Sequence, residues 1–165
     1  MRLADLFLSE LEREAPATRR MLERVPEARF AWKPHEKSMP LGRLATHVAE
    51  LPAMGVRICT AEEHVIAPGA YRPRVAANLA EVLETFDANV RSLAAALPAL
   101  SDEQMAAPWR MRRGDAVVRE LPRGAALRAV CFSHIVHHRG QLSVYLRLLD
   151  VPLPGVYGPT ADEAR

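Results

Sequence analysis

The 165-residue sequence has few of the features that mark several protein classes. Its two cysteines, Cys59 and Cys131, are too few for the disulfide framework of a small secreted domain. No apolar run approaches the roughly 20 residues that a membrane-spanning helix needs. The opening MRLADLFLSELERE lacks the apolar centre and the cleavage site of a signal peptide. These absences predict a cytoplasmic protein that has no membrane partner.

The net charge and the aromatic content are also low. The 22 basic and 20 acidic residues leave a net charge of +2, which is too weak to predict a nucleic-acid or anionic-membrane surface. Aromatic residues make up only 5%, so the core should be aliphatic. The hydrophobic share of 49% and the charged share of 25% are those of an ordinary globular chain. We therefore expect one domain spanning 1–165, with a small molecule as its partner.

Apolar residues recur at intervals of three and four, which is the helical period. The pattern predicts main helices at about 4–25, 41–58, 75–97 and 122–149, with a connection rich in proline and glycine at 67–73. Residues 106–121 are the least helical, and Gly114 followed by Asp115 allows a small hairpin there. The sequence shows no convincing βαβ pattern. We therefore expect an all-α fold, a four-helix bundle with a small irregular or hairpin insertion before the last helix.

Three of the six histidines fall in one stretch, CFSHIVHHRGQLSVYLRLL at 131–149. His134 and His138 are four apart and share one face of the predicted helix. That face is apolar, with Leu127 and Leu142 among its members, so both imidazoles should point inward. His137 is rotated about 100° away from His138 and should face a helix edge or solvent.

Two neighbouring imidazoles in an apolar interior need partners, and a divalent ion would satisfy both at once. A stable site usually needs a third ligand. His47 is the best candidate, because its offsets from Leu44, Val48 and Leu51 put it on the core stripe of the second helix. The same spacing also fits core histidines whose hydrogen bonds are made by neighbouring residues. The metal-site and core-histidine interpretations are evenly balanced.

Two segments resemble the DinB/YfiT-like metalloenzyme family, which is distinct from the DNA polymerase that shares the name DinB. The first is WKPHEKSMPLGRLATHVAELP at 32–52, and the second is HIVHHRGQLSVYLRLLDVPLPGVYGPTADE at 134–163, with its H-x-x-x-H-R-G-Q pattern. Their order and separation agree with the family, while the middle of the chain agrees only in its helical pattern.

The resemblance implies an up-down-down-up four-helix bundle, often a homodimer, with one divalent metal ion held by three histidines. On this chain those ligands map to His47, His134 and His138. Zinc or nickel is typical of relatives, and imidazole suits several first-row metals. Characterised relatives include thiol-dependent S-transferases and a mycothiol-dependent maleylpyruvate isomerase, which implies a low-molecular-weight thiol as a further cofactor.

Our leading hypothesis is a metal-dependent transferase or hydrolase that acts on a small molecule, the ion lowering the pKa of a thiol or of water in an open position. The alternative is a non-catalytic, metal-stabilised stress or interaction protein that serves as a dimeric scaffold. Its motivation is the absence of an obvious second catalytic acid or base in the sequence.

Further candidate residues lie near the three histidines in the sequence, and each has a functional and a plain structural interpretation. Glu50 could orient a ligand or lie on the surface. Gln141 could hold a metal-bound water or pack against a helix. Tyr145 could line the pocket or belong to the core. Cys131 could be a fourth ligand, although an inert buried thiol is the more common role of such a residue.

Overall fold

The computed structural model describes residues 1–67, 69 and 72–163. The connection expected at 67–73 therefore lies partly outside the described residues. Within the described residues, the helices follow the 3.6-residue period. Several of their first and last residues, however, differ from those expected. The third helix starts at Leu79, four residues later than expected, because the side chain of Asn78 accepts a hydrogen bond from the Glu81 amide and caps it there.

Most of the chain is helical. A short turn, α4, follows the capping box of Ser101 and Gln104. The last helix is continuous through three parts, of which the middle one is a π-helix. The helical elements are α1 (Leu3–Leu22), α2 (Leu41–Thr60), α3 (Leu79–Ala96), α4 (Asp102–Ala106), α5 (Arg123–Ala126), the π-helix (Leu127–Phe132) and α6 (Ser133–Leu148).

The predicted all-α class is wrong, because the fold also contains a three-stranded mixed sheet. Its strands are β1 (Glu63–Ile66), β2 (Pro108–Arg113) and β3 (Ala116–Pro122), in the order β1-β2-β3. The β2–β3 hairpin lies in the segment expected to be irregular or a hairpin. The error came from β1, which pairs in parallel with β2. The expected four-helix bundle with an irregular or hairpin insertion is therefore replaced by a mixed α and β fold.

The sheet is fastened to the helices by apolar and polar contacts. Trp109 of β2 is fully buried in the same apolar cluster as Phe7, Leu127 and Phe132. Arg123, where β3 passes into α5, donates hydrogen bonds to the Ile58 and Ala61 carbonyls at the end of α2. Because α2 ends and the last helix begins at this contact, the helices that carry the candidate ligands are held together beside the sheet.

The second helix is central to the packing, since α2 contacts α3, α6 and the π-helix. Gly55 of α2 permits this close approach. A Cβ built there would lie 2.9 Å from the Cys131 sulfur and from the Leu93 methyls. Among the described residues, no helix is long and apolar enough to span a membrane.

Candidate metal centre

Three imidazoles meet where α2 faces α6. His47 comes from the middle of α2, while His134 and His138 lie one turn apart at the start of α6. Their ligand nitrogens all lie within 4.8 Å of one another, and this is the cluster of metal-ligating type found among the described residues. His138 is buried and the other two are half-buried. The structure thus brings together the three histidines selected from the sequence. Metal binding by them is still a prediction.

Hydrogen bonds fix how two of these rings are oriented. The Nδ1 of His134 lies 3.3 Å from the Val130 carbonyl oxygen, and the Nδ1 of His138 lies 2.7 Å from the Gln141 amide oxygen. Both Nδ1 atoms face acceptors, so they are the donors, and each Nε2 carries a lone pair. The two Nε2 atoms face each other at 2.8 Å. Two lone pairs pointing at one another at that distance call for a cation or a proton between them.

The donor set fits a divalent first-row ion. Nitrogen ligands at about 2.0–2.1 Å from a tetrahedral zinc ion stand roughly 3.3 Å apart. The observed 2.8 Å separation and the 4.8 Å upper limit for the cluster bracket that value. Neutral imidazole suits zinc and nickel, among other ions. His47, His134 and His138 would hold the ion, and three protein ligands would leave further positions for water or substrate.

The surroundings keep all three rings neutral, which is the state that binds metal. Burial lowers the pKa of His47 to about 4, with further contributions from His138, Arg43 and His134. Burial also lowers the pKa of His134 and of His138, and the Gln141 hydrogen bond only partly opposes the effect at His138. Lone pairs are therefore available at neutral pH without a proton having to leave.

Arg43 and Glu50 lie beside His47 on α2. The Arg43 guanidinium donates to a Glu50 carboxylate oxygen at 3.1 Å and lies 3.5 Å from the His47 Nδ1. Its positive charge disfavours protonation of His47. Glu50 was suggested to orient a ligand histidine, but its hydrogen bond is to Arg43, and Arg43 in turn lies beside the His47 ring.

The other candidate residues lie outside the histidine cluster. Cys131 is buried, its sulfur lies 3.6 Å from the Leu51 carbonyl oxygen, and it is not among the residues whose ligand atoms meet in the histidine cluster, so it is not placed as a fourth ligand. Tyr145 packs edge-on against Trp32 with the ring centroids 5.8 Å apart, as a core aromatic would. His137 is exposed, and its ring centroid lies 4.8 Å from that of His138.

Arg139 is the arginine of the H-R-G-Q pattern. It forms a buried ion pair with Glu14 of α1 at 2.8 Å and donates to Thr18 at 3.0 Å and to Tyr157 at 2.7 Å. The tail residue Asp162 is paired with Arg147. Arg139 thus holds α1, α6 and the tail together beside the histidine cluster, which is a role in positioning rather than in metal ligation.

Two open clefts reach the cluster by different routes. His47 lines one of about 310 Å³ between α2 and β1, together with Glu50, Arg57 and His64. His134 lines the other, of about 460 Å³, between the hairpin and the π-helix. Both volumes lie in the range of small-molecule sites. The second cleft could not be predicted from the sequence, because no local pattern shows that the β2–β3 hairpin lies beside the π-helix.

The sequence model of the DinB superfamily matches residues 10–142. The chain belongs to the DinB superfamily. The family resemblance carried by the two histidine segments is thereby confirmed. The match spans most of the chain, including all three histidines.

Individual relatives agree with that membership. The chain is 26% identical over 159 residues to the uncharacterized protein YrdA of Bacillus subtilis, covering 96% of this chain and 90% of YrdA. The crystal structure of the DinB-like protein YjoA of Bacillus subtilis superposes with a TM-score of 0.68 at 21% identity, covering 90% of this chain and 95% of YjoA. A DinB-like protein of Bacillus cereus gives 0.69 at 21% identity, with 92% and 95% covered. These structures share the fold.

Proposed function

We propose that this DinB-superfamily protein is a divalent-metal-dependent enzyme that acts on small molecules, with His47, His134 and His138 as its metal ligands. The observation that carries the proposal is the pair of Nε2 atoms of His134 and His138, which face each other at 2.8 Å while both Nδ1 atoms are held by carbonyl oxygens. A site closed by protein ligands would be structural, whereas three ligands beside two clefts are the arrangement of a catalytic site.

The chemistry we favour is thiol-dependent S-transfer, with zinc or nickel as the ion. A divalent ion bound here would act as a Lewis acid and lower the pKa of a thiol or of water. In such a transfer the thiol gives up its proton to solvent and its sulfur forms a bond to an electrophilic carbon. The leaving group departs with the electrons of the bond that breaks. The two clefts support a reaction of two organic molecules, since each could hold one of them against a different histidine.

The residues of the chain have separate tasks in this proposal. Gln141 and the Val130 carbonyl keep the Nε2 atoms of His138 and His134 directed at the common point. Burial keeps His47 neutral, with a further contribution from the charge of Arg43. Arg139 holds the helix that carries two ligands against α1. We expect the protein to be a homodimer.

The test is metal analysis of protein purified without an affinity tag, followed by reconstitution with zinc, nickel or cobalt. We expect about one equivalent of ion in the wild type, and loss of the ion in His47→Ala but not in His137→Ala. Turnover would be followed as chloride released from chlorodinitrobenzene by cysteine, with metal-free protein as the control. Retention of stoichiometric metal without turnover, together with a cobalt spectrum that thiols do not change, would favour the non-catalytic scaffold. Failure to bind any of these ions would reject both functions.

A further inference from the structure

The mixed sheet forms a wall opposite the histidine cluster. In its register His64 of β1 is paired with Met111 of β2, and Met111 is paired with Arg119 of β3. Directly paired residues project from the same face of a sheet. His64 lines the cleft that contains His47, and Met111 and Arg119 line the cleft that contains His134. One row of side chains across the sheet thus faces two of the three candidate ligands.

An irregularity interrupts the pairing of the hairpin that forms part of this wall. The pairing shifts between Met111 and Arg112, so that Val118 is the extra residue on β3. Such bulges bend a strand and redirect side chains, and they are common beside functional sites. Val118 lines the same cleft as its neighbour Arg119. The bulge therefore brings an apolar and a cationic side chain to the same opening, which a regular alternating strand would not do.

The charge of the second cleft is of one sign. Arg119 is exposed and forms no ion pair or side-chain hydrogen bond within the described residues. Two other arginines of the sheet are paired: Arg110 with Glu120, and Arg112 with Glu63 and Asp115. The described lining of the second cleft contains no carboxylate, whereas the first cleft contains Glu50. Arg119 is thus a cation in the lining of an otherwise mostly apolar opening that also contains the candidate ligand His134.

We propose that the second cleft binds a small organic anion with an apolar body, a class typified by an aryl or alkyl carboxylate. Arg119 holds the anionic group, since a guanidinium matches a carboxylate in bidentate geometry. Met111, Val118 and Val130 pack against the apolar body, which places the remainder of the molecule beside His134. This inference rests on the proposed function, because it takes the three histidines as the reactive centre. It adds the class of substrate and the residue that selects it.

The experiment measures the binding of hydrocinnamate and of its neutral amide, hydrocinnamamide, by isothermal titration calorimetry. Both probes are titrated into zinc-loaded and metal-free forms of the wild type and of Arg119→Gln, Arg119→Lys and Arg113→Gln. Arg113 is the matched control, since it is an exposed arginine of β2 outside the second cleft. Zinc content and circular dichroism of each variant are recorded first.

We expect the wild type to prefer the carboxylate to the amide. Arg119→Gln should weaken hydrocinnamate binding by about fivefold to tenfold, since a charge-assisted contact at a solvent-exposed rim is screened. It should leave amide binding, zinc content and helicity unchanged. Arg119→Lys should restore part of the preference, and Arg113→Gln should behave as the wild type.

Two results would overturn the inference while leaving the proposed function intact. One is zinc-loaded wild type that binds neither probe or binds both equally. The other is an Arg119→Gln variant with an unchanged preference for the carboxylate. If the wild type retains no metal, the proposed function fails instead. The titrations of metal-free protein then still decide whether Arg119 selects the anion.

Discussion

The Gln141 amide oxygen lies 2.7 Å from the Nδ1 of His138. This contact holds the His138 ring in one orientation and one tautomer, with its Nε2 directed at the Nε2 of His134. Hydrogen bonds to the distal nitrogen of a ligand histidine raise its basicity and restrict its rotation. Gln141 is exposed on α6, so its side chain can be exchanged without disturbing the core.

Removal of this hydrogen bond should weaken metal binding. We expect Gln141→Leu to lower zinc affinity by roughly 10-fold to 100-fold, the usual effect of losing a partner of a ligand histidine. Competition with a chromogenic chelator measures it. Gln141→Glu, which keeps an oxygen acceptor and adds charge, should bind zinc at least as tightly as the wild type. Val144→Ala, at another exposed position of the same helix, serves as the control. Equal affinity in all four proteins would mean that the contact does not support the site.

The three-histidine arrangement predicts a difference between neighbouring histidine substitutions. His47→Ala should lose stoichiometric zinc while remaining largely helical, because the core around it is aliphatic. His137→Ala should retain zinc, since His137 is exposed and outside the cluster. Added zinc should raise the melting temperature of the wild type and of His137→Ala only, as expected when a ligand binds the folded state. Zinc stabilisation of His47→Ala would remove His47 from the site.

The Glu14–Arg139 pair should be among the larger polar contributions to stability. Both side chains are buried, at 8% and 3% exposure, and they are 2.8 Å apart. Arg139→Met removes the buried cation of Glu14 and leaves it the more exposed Arg13 at 3.4 Å, and we expect a loss of about 3–5 kcal/mol in the free energy of unfolding. Denaturant titration measures it. Arg110→Met breaks an exposed pair with Glu120 and should cost less than about 1 kcal/mol. A similar loss in both variants would contradict the distinction.

The same pair predicts how stability depends on acid. Burial raises the pKa of the Glu14 carboxyl, but hydrogen bonds from Arg139 and Tyr157 outweigh it, and the folded-state pKa lies below the ordinary 4.5. A lowered pKa stabilises the fold above the ordinary value, and this contribution is lost as the pH falls through the folded-state value. The stability advantage of the wild type over Glu14→Gln should therefore be full at neutral pH and shrink below about pH 4.5. An advantage that does not change with pH in thermal melts would contradict this assignment.

Helical spacing was sufficient to predict from the sequence that the three histidines lie close together. His47 was chosen because of its neighbours on the α2 stripe, and His134 and His138 because of their four-residue offset. Those rules act within single helices, and the packing of α2 against α6 follows from burying their apolar faces. The sequence predicted the location of Gln141 but not its hydrogen-bond partner. Its three-residue offset from His138 placed it near the site, but its partner proved to be the imidazole itself.

The three-stranded sheet could not be predicted from local sequence patterns in the same way. The strand β1 has four residues, and its partner β2 lies 47 positions further along the chain. Parallel strands are not connected by a short turn, so no local sequence pattern indicates that β1 pairs with β2. The residues of β3 are nearly all exposed, which removes the alternation of a half-buried strand. The Glu14–Arg139 ion pair could not be predicted for a related reason, since the two residues are 125 positions apart in the sequence.

The parallel pairing of β1 with β2 also sets the order in which the protein can assemble. His134 and His138 come together as soon as one helical turn forms, which is a fast local event. The sheet opposite them requires closure of the long segment between β1 and β2, which is entropically costly and slow. We expect refolding to yield the helical signal before the fluorescence of Trp109 reports its burial in β2. In refolding of the whole chain, the wall that faces the histidines would then be the last part of the site to form.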